Sequence, residues 1–102
     1  MKNTLTSKEI IEVLRDEKQL LRDKFYVKEI GLFGSYARSE ATPQSDIDFL
    51  VVIDAPLEIY KQTKEALRSF LKAQFQCEVD LANPHSLKPH FKQRILNQAI
   101  YA

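Results

Sequence analysis

Cysteine, glycine and excess charge are all scarce in this chain. Its 102 residues include a single cysteine, Cys77, so no internal disulfide can form. Cys77 sits in the apolar-leaning stretch Phe75 to Leu81 and reads as a small core side chain in a reducing cytosol. The 15 basic and 14 acidic side chains leave a formal net charge of +1. That balance gives no broad attraction to a nucleic-acid backbone, so direct nucleic-acid binding is not expected beyond a local basic patch. No run approaches the ~20 apolar residues of a membrane span. Met1 to Glu9 is polar with no apolar segment behind it, which argues against a secretory signal and for a cytoplasmic address. Repeats, low-complexity tracts and internal linkers are also missing.

What remains is an ordinary globular composition, 44% hydrophobic and 28% charged, which does not suggest disorder. The length suits one modest core and not two, so residues 1–102 are expected to form a single domain. Thr6 and Glu9 form a capping box for a first helix. Ile10, Val13, Leu14 and Leu21 then recur near helical spacing to about Arg22. Phe25 to Phe33 reads as a strand, and the chain's two glycines, Gly31 and Gly34, both fall at its end. Gly34 to Glu40 is a turn running into a short helix, and Ala41 to Ser45, with Pro43, is a loop. Asp46 to Ile53 is the clearest strand. Its apolar part lacks polar alternation, as expected of a strand covered on both faces.

Leu57 to about Gln74 predicts an amphipathic helix with Tyr60, Leu67, Phe70 and Leu71 as its stripe. Gln76 to Leu81 is a third strand, broken by Asn83-Pro84. Leu87 to Tyr101 is a last helix with Leu87, Phe91, Ile95 and Ala99 at i, i+4 positions. Helices alternating with strands imply an α/β (α+β) domain, a small mixed β-sheet flanked by helices.

One constellation carries chemistry: Gly34-Ser35, ten intervening residues, then Asp46-Ile47-Asp48. A glycine and a hydroxyl at a strand-to-helix turn offer free backbone N–H groups and close approach to a phosphate, although a plain capped turn looks the same. Asp46 and Asp48, two apart on a strand, share a face. Their mutual repulsion calls for compensation that a divalent cation supplies, and hard oxygen ligands suit magnesium. Taken alone the pair also fits a solvated strand start, but the apolar Phe49 to Ile53 follows Asp48 at once. In Cys77-Glu78-Val79-Asp80-Leu81, Glu78 and Asp80 share a face, so Asp80 is a third candidate carboxylate if its strand lies beside that of Asp46. The alternative is an edge strand with one wet face. Arg38 lies three residues beyond Ser35 and suits either phosphate charge or a surface ion pair. His85 and His90 have no metal-ligand spacing and read as loop residues. Tyr36 and Tyr60 read as packing, and the charges from Lys61 to Lys72 as a solvated helix face.

The segment GSYARSEATPQSDIDFLVV (34–52), with Val79-Asp80-Leu81 as the later aspartate, resembles the signature of the minimal nucleotidyltransferases of the DNA polymerase beta-like superfamily. The likeness extends over nearly the whole chain, including the stretch from Leu87-Lys88-Pro89 to Tyr101. It departs at Ser39, where a glycine is usual after the arginine. The resemblance implies that Gly34 and Ser35, with Arg38 nearby, hold the phosphates of a nucleoside triphosphate, most naturally ATP. It implies that Asp46, Asp48 and Asp80 ligate one or two Mg2+ ions, with Asp80 helping to activate the acceptor hydroxyl. It further implies an antitoxin that adenylylates a tyrosine of a HEPN ribonuclease toxin. Two other readings stand beside this one. One is a non-catalytic module that neutralises a toxin by contact, and the other is transfer to a small molecule or an RNA end. A homo-oligomer through the last helix is also compatible with the pattern.

Overall fold

In the computed structural model the described residues are 5–102; the polar start, residues 1–4, lies outside them. The elements are α1 (Ser7–Asp16), α2 (Lys18–Phe25), β1 (Val27–Phe33), α3 (Gly34–Ala37), β2 (Ile47–Ile53), α4 (Leu57–Phe75), β3 (Val79–Ala82), α5 (Pro89–Gln98) and β4 (Ile100–Tyr101), with a 3₁₀ turn at Pro84–Ser86. The four strands form one mixed sheet in the order β3-β2-β1-β4. β1 runs antiparallel to β2 and β4, and β2 runs parallel to β3. This is the small mixed sheet with flanking helices that the alternation of elements implies. Among the described residues no helix is long and apolar enough to cross a membrane.

The capping box forms as read: the Glu9 N–H donates to Thr6 Oγ1 at 3.1 Å and the Thr6 N–H to Glu9 Oε1 at 2.8 Å. Such a cap is worth about 1 kcal/mol. The single first helix expected from the spacing is instead two. Glu17 leaves helical geometry (φ −95°, ψ 8°), ending α1 and opening α2. Leu14 and Leu21 keep helical spacing across the break, so the hydrophobic pattern carries no mark of it. The turn lets Ile10 and Leu14 from α1 and Leu21 and Phe25 from α2 enter the same core. Phe25, expected at a strand start, closes α2 and packs at a tilt against Phe70 with ring centroids 5.2 Å apart. Tyr26 caps α2 in the left-handed region (φ 57°), a position usually signalled by glycine. Gln76 does the same for α4 (φ 51°), which delays the third strand to Val79.

The core lies on one face of the sheet. Ile30 and Leu32 of β1, Ile47, Phe49, Val51 and Ile53 of β2, and Val79 of β3 meet Leu67, Leu71 and Phe75 of α4 and the apolar stripes of α1 and α2. Thr63 is buried with the α4 stripe. The other face is covered only in part, by α3, α5 and the 3₁₀ turn.

The last element departs most from the sequence pattern. Pro89 opens α5 and the helix stops at Gln98; Ile100 and Tyr101 then add a strand to β1, paired as Leu32↔Ile100 and Gly31↔Tyr101. Gly31 makes that pairing possible, since a Cβ there would stand 2.9 Å from Tyr101 Cδ1 and 3.1 Å from the Ile100 carbonyl oxygen. None of the stripe expected for this helix is fully buried, and Phe91 is 47% exposed.

Candidate functional site

The candidate residues come together at one end of the sheet because of strand direction. β1 ends where β2 and β3 begin, so the turn after β1 sits beside the first residues of both neighbours. The register pairs Phe33 with Asp48 and Asp48 with Asp80. Side chains alternate across a pleated strand, so Asp48 and Asp80 project from the partly covered face while Ile47, Phe49 and Val79 enter the core. The beside-the-strand condition set for Asp80 is therefore met. Asp46 and Asp80 are exposed, and Asp48 is half-buried.

Gly34 is bound to this arrangement for two independent reasons. Its φ is +75°, which disfavours any side chain. A Cβ there would also collide with Asp48 Oδ2, and would lie 3.0 Å from Asp48 Cγ. The two halves of the motif, ten residues apart in sequence, thus meet as a carboxylate leaning over a glycine. Ser35, half-buried, follows in the single turn of α3. That turn is shorter than the 34–40 segment expected. Phosphate binding here would rest on local N–H groups and the Ser35 hydroxyl, with little contribution from a helix dipole, which builds up over several turns.

Burial raises the Asp48 carboxyl above the ordinary carboxylate range, and the neighbouring Asp80 and Asp46 charges push it the same way; Arg38 opposes them. Arg38 therefore faces the carboxylates electrostatically, and it also makes the surface ion pair weighed for it. Its Nε donates to Glu40 Oε1 at 2.8 Å and its Nη1 to Gln98 Oε1 at 3.2 Å, tying α3 to α5. Ser39, at the position where the resemblance leads one to expect glycine, is held at φ +60°. The turn requires left-handed backbone there, and a serine adopts it at some cost.

Three carboxylates at one end of the sheet are the donor set of a hard cation, and burial with the charges of Asp80 and Asp46 disfavours the ionised Asp48. The chemistry fits a divalent ion. Among the described residues, however, the side chains do not close into a group of three or more metal ligands. His85 and His90 contribute nothing to this group; the His90 ring packs on Phe91.

Sequence reasoning passed over three neighbours of the site. They are Tyr36, Ser45 and Cys77, with the cysteine between the other two. The Cys77 thiol donates to the Ser45 carbonyl at 3.3 Å, and burial together with Cys77 raises the Tyr36 phenol above its usual range. Tyr36 and Cys77 were read as packing residues, and only their closeness in space marks them out.

Comparison with known proteins agrees with this geometry. Residues 8–102 match the model of the family described as nucleotidyltransferase domain. The protein adenylyltransferase MntA of Thermococcus cleftensis is 38% identical over 97 residues, covering 95% of this chain and 96% of the relative. A solved structure described as a minimal nucleotidyltransferase superposes with a TM-score of 0.75 at 23% identity, over 97% of this chain and 98% of that one. A second, the MNT antitoxin complex with a tri-AMPylated Shewanella oneidensis HEPN toxin, gives a TM-score of 0.54 at 26% identity, over 93% of this chain and 66% of the other. Gly34 beneath Asp48, Asp80 in register beside it and a match across almost the whole length lead to one assignment: the chain belongs to the nucleotidyltransferase domain family, in its minimal form.

Proposed function

We propose that the protein moves AMP from ATP to a hydroxyl on a partner protein, a tyrosine of a HEPN-type toxin, and so acts as an antitoxin. The observation that carries this reading is the Asp48 carboxylate lying against the Gly34 backbone with Asp80 in register beside it. A phosphate held at the Gly34–Ser35 turn would stand directly before the carboxylates. The adenylyltransferase naming of the relative and the AMPylated toxin beside a structural neighbour point to the donor and to the kind of acceptor.

In this reading the Gly34 and Ser35 N–H groups and the Ser35 hydroxyl hold the β- and γ-phosphates, and Arg38 offsets their charge. Asp46, Asp48 and Asp80 would hold one or two Mg2+ ions, which when bound supply charge stabilisation at the α-phosphate during in-line displacement. Asp80, exposed on the edge strand β3, receives the acceptor hydroxyl's proton as its oxygen attacks. Pyrophosphate then leaves along the Gly34–Ser35 turn. The partly covered face gives the acceptor side chain a way in from solvent.

The test is transfer of labelled AMP from ATP to the co-purified partner, comparing wild type with the Asp46→Asn/Asp48→Asn double variant. Label on a partner tyrosine that disappears in the variant is the expected result. If the double variant silences the partner fully and wild type transfers no label, the protein acts by contact and the enzymatic reading fails. Label on RNA or a small molecule, with none on protein, rules out the proposed acceptor.

A further inference from the structure

Three segments carry the candidate site, and one cluster of side chains touches all of them. Tyr36 directly follows Ser35, Ser45 directly precedes Asp46, and Cys77 stands three residues before Asp80. The Cys77 thiol donates to the Ser45 carbonyl, Sγ to O 3.3 Å. The Tyr36 phenol lies at the same cysteine, which together with burial raises it above its usual range. Tyr36 is only 5% exposed and packs among core residues, with Cys77 half-buried against the same cluster.

The loop that Cys77 reaches is exposed from Thr42 to Gln44. Thr42 and Ser45 tie the loop to itself, the Thr42 N–H donating to Ser45 Oγ and the Ser45 N–H to the Thr42 carbonyl, each at 2.9 Å. Beyond it opens a cavity of about 630 Å³, bounded by Pro43, Gln44 and Asp46 on the loop side and by Ser69 and Lys72 of α4 opposite. Ala41 packs against the core where the loop begins, and the buried Ile47 donates its N–H to the Glu78 carbonyl at 2.9 Å where it ends, so between these anchors the bond from Cys77 ties the loop to α4 and β3 just before Asp46.

We propose that Tyr36 and Cys77 are positioning residues for nucleotidyl transfer: the Tyr36 phenol bonds to the Cys77 sulfur, and the observed bond from the Cys77 thiol to the Ser45 carbonyl holds the Asp46 loop in register with the Gly34–Ser35 turn and β3. The inference rests on the proposed transfer reaction for its consequence, and on the fold alone for its mechanical part. A purely space-filling cysteine would tolerate valine better than serine, because valine keeps apolar volume. A bonding cysteine would tolerate serine better, because serine keeps both donor and acceptor.

The experiment is amide hydrogen exchange of residues 42–48 in the isolated protein, paired with steady-state AMP transfer, for Tyr36→Phe, Cys77→Val and Cys77→Ser. Tyr36→Phe and Cys77→Val should each speed exchange in the loop and lower kcat by about five-fold, with KM for ATP changed less than about two-fold. Cys77→Ser should stay near wild type in both. The Tyr36→Phe/Cys77→Val double variant should be no slower than the slower single, since both cut one chain. Near-normal exchange and kcat in Cys77→Val, or loss in Cys77→Ser greater than in Cys77→Val, overturns the proposal. If wild type transfers no AMP to any partner, the reaction reading fails, and the exchange data decide the holding of the loop by themselves.

Discussion

The two faces of β2 differ more than any two regions of the molecule, although they share a backbone. On one, Ile47, Phe49, Val51 and Ile53 are at most 6% exposed and locked against three helices. On the other, Asp48 is half-buried beside Asp80 and next to a loop over open space. The close-packed face makes the strand rigid, and that rigidity allows the opposite face to keep like charges together. On a flexible segment two such carboxylates would move apart with their backbones; here the register holds Asp48 beside Asp80.

The comparison can be broken most sharply at two adjacent residues. Phe49→Ala should remove about 3–5 kcal/mol of stability in denaturant titration, a large part of what a small domain has. Asp48→Asn should instead lower AMP transfer by about 10²- to 10³-fold, as loss of a charge-stabilising group does elsewhere. It should also make the metal-free protein more stable at neutral pH. The sign follows from the raised Asp48 carboxyl: the folded state binds that proton more tightly than the unfolded chain, so the ionised group disfavours folding at neutral pH. The advantage of the asparagine variant should shrink as pH falls through the Asp48 titration and vanish once the carboxyl is protonated in both states. A neutral-pH loss of stability in Asp48→Asn would show that the two faces do not divide the labour in this way.

The two glycines sharpen the contrast at smaller scale. Gly34→Ala meets both left-handed strain of about 1–2 kcal/mol and the Asp48 carboxylate, so transfer should be lost along with stability. Gly31→Ala crowds Tyr101 and Ile100, so it should loosen β4 while transfer falls far less; equal loss in the two would mean that β4 helps to build the site. The smallest expected effect is at Ser39, whose φ of +60° suits glycine. Ser39→Gly should stabilise the protein by about 0.5–1 kcal/mol in thermal melts, and a decrease would show that the serine side chain supports the turn.

Elements whose signals are local were legible in the sequence. The Thr6–Glu9 box, the apolar run of β2, the α4 stripe and the Asn83-Pro84 break all appear where the pattern puts them. The misses occurred where nothing local marks the change. Glu17 breaks a helix without glycine or proline, Tyr26 and Gln76 take left-handed caps without glycine, and Ile100–Tyr101 continue a helical apolar pattern but pair as a strand.

By itself the sequence determined the family and the candidate chemistry, because Gly34-Ser35, Asp46, Asp48 and Asp80 are legible as residue types at set spacings. Which groups meet was decided by the tertiary structure alone. Strand order brings Asp80 beside Asp48, the positive φ of Gly34 lets Asp48 lean over it, and the fold brings Cys77 to the Ser45 carbonyl with Tyr36 beside it. The physical reason is that spacing along a chain constrains neighbours within an element, whereas contacts between elements depend on register and direction, which only the packed core sets.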